Sequence, residues 1–328
     1  VITNNSALVV NRSNDLSTSQ QITGTGSFQQ AGSGATTLSA ANNDYTGATT
    51  VINGELRVSG LTGTSSVTVG EAGETLANAA VLAGTGTIAG KITVGSYDSG
   101  TSTVTSVGIL TPGATSANAD IGTLTISAAN TALEVATGSQ IQLGITAAST
   151  ATLTNYGLGV FSDGVTTYDN AKDYFDAIGG GADTWTKTAP GDPSYHDYIN
   201  LTGADSTLSV GARAPANTLW GQGSIVVNAE NLGSVQVGQV FNLLDWAGAS
   251  LSGGFSVGAA LNGRYDASSN VIAGDLDLAQ LGAGLGWDVS AFTTYGVLVV
   301  VPEPSRMLLL MFGLFGLFFR RRRRMGSL

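Results

Sequence analysis

His196 is the sole histidine of a chain of 328 residues, and no cysteine accompanies it. A mechanism needing two imidazoles, a thiolate nucleophile, a thiolate metal site or a disulfide scaffold is therefore excluded. Asp192, Tyr195 and Asp197 surround His196 in sequence. An aspartate orienting an imidazole makes a general base. A histidine between two carboxylates makes part of a metal site. No fixed helical spacing and no second imidazole support either, so His196 reads as an exposed loop histidine ahead of a strand. Asp163, Asp169, Asp173 and Asp176 fall within fourteen residues. Calcium takes about six to eight oxygens from acidic loops, but neither EF-hand nor Gly-Asp repeat spacing is present, and the four read as a solvated helix face. Trp185, Trp220, Trp246 and Trp287 are large enough to stack on sugars. Trp246 and Trp287 lie in apolar strand-like runs and are assigned to the core. Trp185 sits in the polar aromatic stretch 183–198 and is the candidate ligand contact. Polysaccharide-cleaving chemistry needs paired carboxylates or acids beside a base on one face. Residues 34–158 hold only two basic side chains, Arg57 and Lys91, with acids scattered among them. The expectation is no catalytic residue, no metal, no cofactor and no enzyme.

The strongest chemical signal is at the end of the chain, VPEPSRMLLLMFGLFGLFFRRRRRMGSL. Pro302, Glu303 and Pro304 come first, and two prolines are expected neither to continue a strand nor to sit inside a helix. The thirteen residues 307–319 then carry no polar side chain, and Arg320, Arg321, Arg322, Arg323 and Arg324 follow. Ser305 is placed to cap a helix. A helix over 305–319 would rise roughly 22 Å at about 1.5 Å per residue, short against a bilayer core of about 30 Å. It crosses if the arginines snorkel and the bilayer thins. The arginines then hold the C-terminus in the cytoplasm by the positive-inside rule, and the body lies outside.

Charge divides the chain at the same place. Of thirteen basic residues six follow Pro304, while all 23 acids precede it, so the overall −10 hides a body of −16. Such a body repels nucleic acid and anionic membrane surfaces. Charged residues are 11%, against about 25% in an ordinary soluble domain. With 46 glycines and abundant Thr, Ser, Ala, Val and Asn, the composition suits strands and tight turns, and helices poorly. No basic-then-apolar leader and no initiator Met opens the sequence, which reads as a fragment or processed form.

The elements needed to present these residues are short period-two runs: Thr37-Leu38-Ser39, Thr50-Val51-Ile52, Glu55 to Val58, Ser66 to Val69, Thr87-Ile88, Lys91 to Val94, Gly108 to Leu110, Thr123 to Ile126, Ala132 to Val135 and Gln140 to Leu143. Each is bounded by Gly, Asn, Ser or Thr, the pattern of half-buried strands. Hairpin dipeptides are scarce: Asn53-Gly54 and Asp163-Gly164 are the two in the first 170 residues. Spacing and composition therefore favour a parallel β-helix. One body helix is expected over 168–178, with Asp169 as its N-cap and Gly179 to Gly181 ending it. Strands resume from Asp197.

Two resemblances follow from these residues. The tail resembles a PEP-CTERM sorting signal, with its Pro-Glu-Pro motif, short apolar helix and arginine cluster in order. The segment GATTLSAANNDYTGATTVINGELRVSG, residues 34–60, resembles the autotransporter-associated β-strand repeat. The matches are Thr37, Leu38, Ser39, Asn42, Tyr45, Thr46, Gly47, Thr49, Val51, Gly54, Leu56 and Val58, with one residue inserted before Tyr45 and Ala41 in place of the usual Gly. Residues 82–126 resemble the segment that often follows such a repeat, with an insertion over 96–107.

The resemblances imply an all-β chain, a right-handed parallel β-helix (solenoid) with a short C-terminal hydrophobic helix. Residues 1–152 are the expected solenoid, 153–300 its continuation and cap with a loop and helix insertion near 168–198, and 301–328 the sorting signal. An exosortase-type membrane enzyme would recognise Pro302, Glu303 and Pro304. The chain would be held transiently in the inner membrane, then released to the cell surface or extracellular matrix as a structural protein. Exopolysaccharide or other surface glycans are the further partners considered. A carbohydrate-binding adhesin using Trp185 is the alternative, and a polysaccharide-degrading enzyme the third reading.

Overall fold

The computed structural model describes residues 1–116, 120–146, 161–162, 166–177, 196–229, 235–245, 251–259 and 263–303. Among the described residues the chain is mostly β, and its two large sheets are built mainly from parallel strands, the larger also holding a few antiparallel pairs. Among the described residues one sheet joins seven strands, Ala7–Val10, Ser27–Gln30, Thr49–Val51, Ser66–Val69, Lys91–Val94, Thr131–Val135 and Thr207–Val210. Every neighbouring pair in it is parallel. Chain order equals spatial order, so each pass of the chain lays a strand beside the previous one. Ala7 faces Ser27, Phe28 faces Thr49 and Thr49 faces Val67.

The side-chain consequence is a ladder of like residues. Val51, Val69, Val94, Val135 and Val210 stand in register in this sheet. Leu56, Leu82, Leu110, Ile141, Ile225 and Leu276 do the same in a fourteen-stranded sheet. All eleven are buried and belong to one continuous core. Period two makes this possible, because alternate residues of a strand share a face.

Where the chain turns between strands, backbones approach too closely for a side chain. A Cβ on Gly54, which has φ +64°, would lie 2.4 Å from the Gly32 carbonyl oxygen and 2.5 Å from that of Gly34. Buried polar groups at these corners are paired, as burial requires. Gln30 donates to the Gly32 and Gly34 carbonyls at 2.7 and 2.9 Å and accepts from Thr36. The Tyr45 hydroxyl meets Thr49 at 2.6 Å, and Thr49 meets Thr64 at 3.1 Å. Burial pushes the Tyr45 hydroxyl up to about 12, the Thr49 bond opposing it.

Three expectations are corrected. Of the two adjacent asparagines the fold buries Asn43, not Asn42, the one that the repeat pattern matches. Asn43 is fully buried, accepts the Ile22 amide at 3.0 Å and donates to the Ala40 and Gly60 carbonyls at 2.8 and 3.0 Å, while Asn42 is exposed. The body helix is Ala171–Ala177. Its N-cap is Asn170, whose side-chain Oδ1 accepts the Asp173 amide at 2.9 Å, and Tyr168 belongs to a two-residue strand paired with Phe161–Ser162. The third concerns Pro302 and follows below. The insertion over 96–107 forms an antiparallel ribbon, Ser96–Asp98 against Thr103–Pro112.

A four-stranded antiparallel sheet lies late in the chain, in the order Val240–Asn242, Val297–Pro302, Leu285–Asp288, Arg264–Asp266. Helix Ala171–Ala177 packs beside it. Phe175 shares a buried cluster with Val240, Val297, Val299 and Val301. Asp288 accepts the helix's first amide, from Ala171, at 3.2 Å, and Arg264 stands 3.7 Å from the same carboxylate. Burial holds the Asp288 carboxyl above its usual range, against the bonds from Ser290 and Ala171 and the Arg264 charge. Among the described residues, no helix is long and apolar enough to cross a membrane. The expected C-terminal helix lies over 305–319, outside the described residues.

Candidate sorting and processing site

The strand leading into the Pro-Glu-Pro motif is Val297–Pro302, sequence VLVVVP. Four β-branched residues fix its extended form, and Val297 to Val301 are all fully buried. Gly296 launches it from the short helix Phe292–Tyr295. It adopts φ +69° and donates to the Phe292 carbonyl at 2.8 Å. A Cβ there would lie 2.0 Å from the Leu244 carbonyl oxygen. Across the strand Trp287 faces Val300, its indole N–H donating to Ala279 at 2.9 Å.

Pro302 is the last residue of this strand and faces Leu285. The expectation that it could not extend a strand is overturned at this one position. Proline has no N–H to give, and Leu285 asks for none: its own N–H donates to Gly282 at 3.2 Å and its carbonyl accepts from Ala267 at 3.2 Å. Glu303 follows and is only 8% exposed. Its amide donates to the Gly284 carbonyl at 3.1 Å, and its Oε1 accepts the Gly284 amide at 2.8 Å. Glu303 and Gly284 thus clasp each other by both backbone and side chain. Pro304 and Arg320 to Arg324 lie outside the described residues.

The other candidates are dispersed. His196 is fully buried rather than exposed. It forms a bridge with Ile145, its Nδ1 lies 2.8 Å from the Asp197 carbonyl, and its ring meets Phe241 edge-on at 6.0 Å. The sequence misled here because the buried strand that receives it, Gln140–Ile145, is remote in the chain. Asp197 does not orient the imidazole with its carboxylate. That carboxylate accepts the Gly122 amide at 2.8 Å and the Gly144 amide at 2.7 Å, tying three passes of the chain. Burial pushes it up to about 8, and the Asp120 charge adds to the rise, against the two amides. Asp192, Tyr195, Asp163 and Trp185 lie outside the described residues, as does Trp246. Asp176 is engaged by Lys172 and by the Tyr295 hydroxyl at 2.7 Å, which hold its carboxyl below the usual range. Trp287 is core, while Trp220 is half-buried and donates to the Leu278 carbonyl at 3.1 Å. Among the described residues, no three His, Asp or Glu side chains converge as a metal site.

Two family models match the chain: a PEP-CTERM protein-sorting motif over residues 300–324 and a passenger-associated-transport-repeat over residues 28–58. The chain carries a PEP-CTERM sorting motif and a passenger-associated-transport-repeat. The motif places it among exported, exosortase-sorted proteins of the cell surface or exterior, processed by that membrane enzyme. The repeat match covers the strands from Phe28 to Val58, including buried Asn43 and Tyr45. No curated protein and no solved structure matches the chain.

Proposed function

We propose that this PEP-CTERM protein is a non-catalytic structural component of the cell surface or extracellular matrix, with a right-handed β-solenoid as its body. The observation that carries the reading is the unbroken parallel register of Val51, Val69, Val94, Val135 and Val210. A chain that adds a strand to the same sheet on each pass builds an elongating scaffold whose contacts are mostly between neighbouring passes. Residues 1–152 form its regular part. Residues 153–300 continue and cap it, the antiparallel sheet around Val297–Pro302 packing on the same continuous core.

The surface chemistry supports the same reading. Among the described residues before Pro304, Arg57, Lys91, Lys172, Arg213 and Arg264 are each tied to a carboxylate: Glu55, Glu134, Asp176, Asp277 and Asp288 respectively. Little cationic charge remains to recruit polyanions, which fits a solvated exterior protein. On this reading residues 305–319 enter the inner membrane and Arg320 to Arg324 keep the end of the chain cytoplasmic. The chain is then held in the inner membrane only until processing at Pro302 to Pro304.

Cell fractionation in the chain's own host tests this. The body is expected at the surface or in the medium. A chain confined to the cytoplasm with its C-terminus intact would refute the proposal.

A further inference from the structure

We propose that the folded body masks its own sorting motif, so that processing acts on chains whose last strand has not closed. The inference rests on the reading that the membrane enzyme takes hold of Pro302, Glu303 and Pro304. Pro302 is the terminal residue of the buried strand Val297–Pro302. Glu303, the acidic centre of the motif, is turned onto the body and clasped by Gly284 through its amide and its carboxylate. An enzyme that reads a peptide in extended form needs free backbone and side chains on both sides of the point of cleavage. Here the N-terminal side is occupied: Val300 exchanges bonds with Gln239 and Gly238 at 2.9 and 2.8 Å, and Val301 is fully buried.

The C-terminal side leaves no slack. Pro304 alone separates Glu303 from Ser305 in sequence, where, on the proposed reading, the membrane-bound run begins. Two residues of extended chain reach at most about 7 Å. A closed body therefore holds Pro302 and Glu303 inside the fold, with little chain left between it and whatever holds the tail. Opening requires the Glu303–Gly284 clasp to release and the end of one central strand to lift from its neighbour Leu285–Asp288. Processing is thereby coupled to the order of folding: early, before the antiparallel sheet closes, or later through local opening of that edge.

The full-length chain, pulse-labelled in its own host, gives the half-time of C-terminal processing. Six Gly/Ser residues inserted between Val301 and Pro302 leave body and motif intact but carry the motif off the fold. Gly284→Pro removes the amide that holds Glu303 and, because proline cannot adopt the +85° φ of Gly284, also opens the turn that carries the clasp, without touching the motif. Both are expected to shorten the half-time at least threefold, the spacer chain retaining slow amide exchange at Val299. An unchanged half-time in the spacer chain overturns the masking. Replacing Pro302, Glu303 and Pro304 together by Ala in the spacer chain is expected to abolish processing. Continued processing there would overturn the underlying reading of the motif, a result separate from the first.

Discussion

Asn43 and Asn42 are neighbours with opposite fates, and the difference lies in which carbonyls and amides each can reach. Asn43 satisfies the buried Ile22 amide and the Ala40 and Gly60 carbonyls. Asn43→Ala orphans that amide and is expected to cost at least about 1–3 kcal/mol, whereas exposed Asn42→Ala stays within about 0.5 kcal/mol; urea midpoints measure both. The repeat pattern showed that an asparagine belongs there but could not say which, because an insertion shifts sequence alignment without shifting the hydrogen bonds. Asp197 makes a second test at this scale. Burial pushes its folded carboxyl up to about 8, whereas an unfolded aspartate sits near 4. Between those values the folded chain holds a proton that the unfolded chain has lost. Stability therefore falls as pH rises through that window and levels off above it. Asp197→Asn removes this slope and, by leaving one of the Gly122 and Gly144 amides without an acceptor, costs about 1–3 kcal/mol at low pH. Denaturant unfolding at several pH values reads both effects.

Strands were the most legible elements. Ser66–Val69, Lys91–Val94 and Thr123–Ile126 follow directly from alternation between Gly and Ser punctuation. What alternation cannot carry is pairing. Thr123–Ile126 lies beside Tyr198–Leu201, partners far apart in the chain, and nothing local reports that contact. The burial of His196 was hidden for the same reason. Pro302 was misjudged because proline rules describe an average strand, and this strand ends opposite a residue whose bonds are already made. Helix Ala171–Ala177 covers the strand leading to the motif, with Phe175 fully buried against it. Phe175→Ala is expected to cost about 3–5 kcal/mol. If this sheet opens as a unit, the substitution also speeds amide exchange at Val299 and Val301 before it affects Val69 or Val94. Equal acceleration at all four would mean that the sheet has no independent opening.

At the scale of the whole molecule, an acidic β body is joined to a basic apolar tail by a motif folded partly into the body. The all-β character was readable from composition, since Gly, Thr, Ser and Val in short runs suit strands and turns far better than helices. The tail was readable from order alone: two prolines around a glutamate, an apolar run, then arginines. The clasp between Glu303 and Gly284 was not readable, because the motif carries no sign of what it packs against. Circular dichroism of the purified body is expected to show β structure with little helix, and a helix-dominated spectrum would contradict the fold. The most direct test of the central claim is intact mass spectrometry of the protein recovered from the cell surface or medium. The account predicts a mature C-terminus at or beside Pro302 to Pro304, without the apolar run and the arginines. A surface or secreted chain that still ends at Leu328 would contradict it.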